Sequence, residues 1–254
     1  MRALTVVSVA FVAGFGAGRP AAADPAGSRV VTAPTAWLPP AGTAWAMLGI
    51  DHRGDGAAII GYGLGRLGEL ELGSDTDVRA CRACATRPSP LWLGRAAFRI
   101  GAGQDAWFTG MPAIVLGVRT TFAGHGHDVH EPRASDAYLV ASRDLGVVRL
   151  HAGVDAITAS VDGVRRPSRA RPIAGIELHP PMYPRSSLLG DLGWEPTLDV
   201  PRAPTLGWLL GIGVRYQAVS WASVELAVRV RQAEDLGAST VMVRVNAVLG
   251  RQDR

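Results

Sequence analysis

Lysine is absent from this chain of 254 residues, and all 26 basic side chains are arginine. The bias points to a GC-rich coding sequence and carries no weight on partners. Charged residues are sparse at 19%, against 48% hydrophobic ones, which excludes a disordered chain. After the first twenty residues no apolar run approaches the roughly 18 needed for a bilayer-crossing helix, so helical membrane spans are excluded. Aromatic residues reach only 6%. The two cysteines, Cys81 and Cys84, lack the second pair or the histidines of a zinc site. No histidine follows Cys84 as covalent haem attachment would need, and the thioredoxin-like βαβ setting of a redox motif is missing. The pair reads as a disulfide that staples a loop, with oxidation following export.

Export is indicated by the N-terminus. Arg2, the apolar stretch Ala3 to Gly18 and the small residues Ala21-Ala22-Ala23 have the layout of a signal peptide over 1–23, so the mature chain begins at Asp24. Loss of Arg2 and Arg19 leaves 24 basic against 22 acidic residues, a net charge of +2 instead of +4. Such a balance gives no reason to expect nucleic acid as a partner. Residues 24–42 are expected to form a periplasmic segment, followed by one β domain over 43–254.

From Ala44 the sequence breaks into segments in which apolar residues alternate with polar or small ones, separated by Gly, Pro, Asp and Ser clusters. Period 2 is the mark of strands with two unlike faces. Twelve segments are predicted: 43–53, 57–64, 68–75, 90–101, 111–123, 135–143, 147–159, 170–179, 186–195, 205–218, 221–232 and 238–249. An even count, with short connections alternating with long ones, predicts an all-β, antiparallel up-and-down transmembrane barrel. Ser160 to Arg169 is expected among the long loops. A soluble β-sandwich would show the same alternation with its apolar face turned inward, and is the alternative.

Nearly every charge inside a strand falls on one parity. The expected lumen-lining residues are Arg95, Arg99, Arg119, Arg149, His151, Glu177, His179, Arg215, Glu225, Arg229, Arg231 and Arg244. If strands seven and eight pair around Asp162-Gly163-Val164, His151 lies beside Glu177 and Arg149 beside His179. Arg215, Arg229, Arg231 and Arg244 come from the last three strands, with Glu225 as their nearest acid, while Glu69, Glu71, Asp191 and Glu195 form acidic patches elsewhere. Opposed patches would select solutes by charge; paired charges would fill a narrow lumen. No nucleophile constellation of the lipid-hydrolysing type assembles from the strand parities, so no catalytic residue is expected. The loop Gly124-His125-Gly126-His127-Asp128-Val129-His130-Glu131 reads as a solvated polar loop, with zinc or copper binding as its alternative.

Gly61-Tyr62-Gly63-Leu64-Gly65-Arg66-Leu67-Gly68-Glu69-Leu70-Glu71-Leu72-Gly73 resembles a strand-turn-strand phrase of Gram-negative outer-membrane barrels, as does Ser142-Arg143-Asp144-Leu145-Gly146-Val147-Val148-Arg149-Leu150-His151-Ala152-Gly153. Pro172-Ile173-Ala174-Gly175-Ile176-Glu177 is similar to the strand that often follows. These phrases resemble the porin-like and YjbH-like barrel families. The resemblance implies a location in the outer membrane and contact with its lipid. Together the readings point to a monomeric barrel that passes or binds a small polar or anionic solute through an Arg-lined lumen, without cofactor, metal or enzyme chemistry. Two alternatives stay open: a non-conducting structural or interaction barrel engaging envelope or polysaccharide-export partners, and a soluble secreted β-sandwich binding protein.

Overall fold

The computed structural model describes residues 28–52, 56–65, 67–75, 93–122, 132–161, 164–197, 204–232 and 239–249. Cys81, Cys84 and the loop carrying His125, His127 and His130 lie outside them.

Twelve strands run in chain order: β1 (Ala44–Asp51), β2 (Gly56–Gly63), β3 (Gly68–Asp75), β4 (Leu93–Ala102), β5 (Ala113–Phe122), β6 (Pro132–Asp144), β7 (Val148–Val161), β8 (Val164–Leu178), β9 (Ser186–Thr197), β10 (Thr205–Val219), β11 (Ala222–Arg231) and β12 (Thr240–Leu249). Each pairs antiparallel with its chain neighbours, and β1 pairs with β12 from Ala44↔Leu249 to Asp51↔Met242, closing the barrel. The alternation is what permits this. Leu48, Ile50, Ile60, Leu72, Leu116, Ile212 and Leu226 stand exposed on the outside, whereas Glu69, Arg99, Glu177 and Glu225 are buried within. A sandwich would have the opposite arrangement, so the soluble alternative is excluded as a fold.

Two details differ from the pattern read in the sequence. The stretch Ser160 to Arg169 is no long loop, because β7 and β8 continue to a tight connection with Val161 opposite Val164. Here Arg165 and Arg169 are exposed and the ladder continues beyond the apolar belt. That hairpin, with a bulge between Ile157 and Ala159, also resets the register: Arg149 faces Glu177 and His151 faces Gly175. The β8–β9 ladder is short, from Ala174↔Leu192 to Leu178↔Leu188. Pro172 and Pro196 lie just beyond it and have no N–H to donate. The Trp194 indole instead donates to the Pro172 carbonyl at 2.7 Å, and Arg171 stacks on its ring at 4.4 Å.

The turn between β4 and β5 is organised by Asp105, which has a φ of 58°. Its carboxylate accepts from Gly110 N–H at 2.6 Å and from Arg143 at 3.1 Å. The Gly110 N–H, with smaller help from Gln104 and Arg143, holds the Asp105 carboxyl below its usual range. A depressed carboxyl stabilises the fold above its unfolded pKa of about 3.9, and that contribution is lost as pH falls through the lower folded value. The Gly110 amide resonance in detergent micelles is therefore expected to titrate below about pH 3.9. Asp105→Asn should abolish the titration; a Gly110 shift that still titrates in that variant would refute the assignment.

Candidate functional site in the barrel lumen

The inward parity builds a network of ion pairs. Arg95 meets Glu71 at 3.1 Å, and Arg99 bonds Glu69 and lies 3.5 Å from Glu71. Arg119 bonds Asp136 at 2.8 Å and lies 3.7 Å from Asp155. Glu225 on β11 stands between Arg215 on β10 and Arg244 on β12, each at 3.2 Å. Arg229 reaches Asp51 across the closure at 3.5 Å, and Arg231 reaches Glu195 at 2.6 Å. Glu177 gathers Arg215, Arg149, His151 and His179 at 3.4, 3.8, 3.3 and 3.9 Å. All twelve side chains singled out from the sequence take part in these contacts. Instead of opposed basic and acidic patches, the wall interleaves the signs, because a carboxylate buried beside a guanidinium costs far less than either alone.

Strand periodicity does not reveal what fills the space between these walls. The expectation of a periplasmic segment over 24–42 is corrected for residues 29–36, which run inside the barrel. Arg29, Val30, Val31, Ala33, Thr35 and Ala36 are buried there. The segment folds back on itself through a single bridge, Arg29↔Pro34, with Val30 N–H donating to Ala33 O at 3.0 Å and Thr35 N–H to Ser28 O at 3.1 Å. Its exposed backbone groups find partners on the wall. Asp191 accepts from three successive amides, Val31, Thr32 and Ala33, at 3.0, 2.5 and 2.6 Å. Arg99 donates to Thr35 O and Trp37 O, Arg215 to Arg29 O and Val30 O, and Arg244 to Val31 O. These bonds explain the burial of so polar a segment, since unpaired buried backbone groups are strongly disfavoured. Val30 and Val31 pack on Leu189, Ala227 and Met242, and Ala36 on Ala113, Val115, Tyr138, Val140 and Ile173.

Ser142 and His151 face each other across the β6–β7 hairpin, with Ser142 Oγ 2.7 Å from His151 Nδ1. With Glu177 beyond His151, they form the serine–histidine–carboxylate grouping that parity reasoning did not assemble. Ser142 was not singled out from the sequence, and its partner depends on register. The hydroxyl accepts from Ala36 N–H at 2.7 Å and is buried, so its observed role is to hold the inner segment. Asp191 was read only as part of an acidic patch. The signal for its role lay in the short apolar pair Val30-Val31 ahead of Pro34, a run too brief to carry a period. Above the segment, a cavity of about 70 Å³ is lined by Thr32, Arg95, Arg119, Asp136, Trp194 and Glu195, among others.

No family model matches the chain, and no curated protein matches it by sequence. Among solved structures, the KdgM porin aligns over 81% of this chain and 98% of its own, at 8% identity and a TM-score of 0.52. The fold is that of the outer-membrane β-barrels. A chain from a study of the in-meso crystallization of membrane proteins aligns over 84% of this chain and 85% of its own, at 6% identity and a TM-score of 0.50. OmpT with loop L8 deleted, an outer membrane protein of Vibrio cholerae, covers 82% of this chain and 97% of its own at 10% identity, with a TM-score of 0.43. The likeness to the YjbH-like branch gains no support from any family model.

Proposed function

We propose that this barrel resides in the outer membrane of a Gram-negative bacterium and serves the passive passage of a small polar or anionic solute. The observation that carries this reading is the inverted pattern: an apolar exterior around a lumen whose wall carries arginines from β4, β5, β7, β10, β11 and β12. The closed ladder completes that lumen within a single chain, which supports a monomer. Arginine guanidiniums lining a low-dielectric passage raise the local concentration of anions.

Arg229→Ala combined with Arg244→Ala removes two positive charges and leaves Asp51 and Glu225 with less compensation. Reversal potentials across planar bilayers under a salt gradient are expected to shift from anion towards cation preference. An unchanged reversal potential would refute the Arg-lined passage.

A second reading, a non-conducting barrel that engages an envelope partner, draws on the paired charges and the segment inside the lumen. It expects silent bilayers despite normal membrane insertion.

A further inference from the structure

We propose that residues 28–37 are a displaceable gate that swings about a hinge at the short-turn rim, so that the lumen is closed by a segment of its own chain. The inference rests on the solute-passage reading above.

Four observations support displacement. First, closure does not need the segment. Its one β-bridge is internal, and the β1–β12 ladder is complete without it. Second, the wall keeps most of its ion pairs when the segment leaves: Arg29 departs from Glu71, 3.8 Å away, but Glu71 retains Arg95 and Arg99. Arg99 keeps Glu69 and Glu71, Arg215 keeps Glu225 and Glu177, and Arg244 keeps Glu225. What those guanidiniums lose is backbone carbonyls, which water replaces at small net cost.

Third, the seat is specific enough to be refilled. A Cβ on Gly175 would lie 2.7 Å from Val30 Cγ2, and one on Gly211 would collide with the Asp191 carboxylate and lie 2.9 Å from Val31 Cβ, so glycine at these two positions leaves room for both the valines and the clasp. Between them Asp191 grips three consecutive amides of the segment. Fourth, the pivot is anchored. Gly42, at a φ of 72°, donates to Gly63 O at 3.0 Å, and Thr43 N–H donates to Pro40 O at 3.2 Å. Pro39-Pro40 stiffens the chain between this anchor and the segment. Ten residues extended from such a pivot reach roughly 33–36 Å, enough to clear a lumen about as long as a bilayer is thick.

The test compares three proteins in planar bilayers: the parent, a form lacking residues 28–37, and Asp191→Ala. Heat-shifted electrophoretic mobility verifies that each is a folded barrel. Loss of the Asp191 clasp is expected to raise open probability roughly tenfold or more, from the strength of charge-assisted hydrogen bonds. The deletion should hold the pore open, and a synthetic peptide of residues 28–38 should block it again. Equal, non-zero conductance in all three overturns the gate and leaves the passage standing. Silence in all three, with barrels folded and inserted, overturns the passage and the gate with it. Should the deletion fail to fold, Asp191→Ala alone decides, because an open probability equal to the parent's refutes the clasp.

Discussion

Arg99→Ala is expected to destabilise the barrel by about 3–5 kcal/mol, the scale for breaking a buried ion pair from one side. Arg99 and Glu69 are both fully buried. The guanidinium bonds Glu69, lies 3.5 Å from Glu71 and donates to the carbonyls of Thr35 and Trp37 at 3.0 and 3.2 Å. Without it Glu71 retains Arg95, but Glu69 keeps only the Trp45 indole N–H from among these bonds. A carboxylate left so poorly matched in a water-poor interior is the source of the cost. Arg143→Ala supplies the contrast: its ion pair with Asp105 is partly solvated, with side-chain exposures of 30% and 41%. A solvated pair of that kind contributes little to stability. Urea unfolding in lipid vesicles, followed by tryptophan fluorescence, measures both. A change within 1 kcal/mol for Arg99→Ala would show that the ion-pair network does not hold the barrel together.

The second large effect tests the membrane itself. Ile212 sits mid-way along β10, opposite Gly190 and Val228, with 58% of its surface exposed. In water an arginine at such a site is harmless. Against hydrocarbon near the bilayer midplane it costs about 2–4 kcal/mol, falling to about 0–1 kcal/mol near the interfaces. Ile212→Arg is therefore expected to impair insertion into vesicles, and Thr205→Arg at the strand's long-loop end to have little effect. Equal folding of both variants would mean that the apolar belt does not face lipid.

Much of the barrel was legible because a strand's facing is local. Val224, Leu226, Val228 and Val230 against Glu225, Arg229 and Arg231 need only a period of two to assign their faces. The neighbourhood of Arg215, Glu225 and Arg244 was legible as well, since adjacent hairpins bring those positions together. Pairings that cross the lumen or the closure were not. Arg229 with Asp51 joins β11 to β1, and Arg231 with Glu195 joins β11 to β9. Such partners depend on barrel shear, which is a sum over every register, and the β7–β8 register sets Gly175, not Glu177, directly opposite His151.

Read by itself, the sequence determined an all-β barrel of twelve strands, apolar outside and arginine-rich inside, because alternation along each strand dictates which side meets water. Only the tertiary structure decided what those inner charges bind. Residues 28–37 carry no periodicity, and their burial depends on backbone amides and carbonyls meeting Asp191, Arg99, Arg215 and Arg244 from four different strands. Backbone hydrogen-bonding groups are alike in every residue, so no side-chain pattern announces where they will dock. That choice is made by the closed wall, which sets three guanidiniums and one carboxylate around a space the width of a folded-back chain.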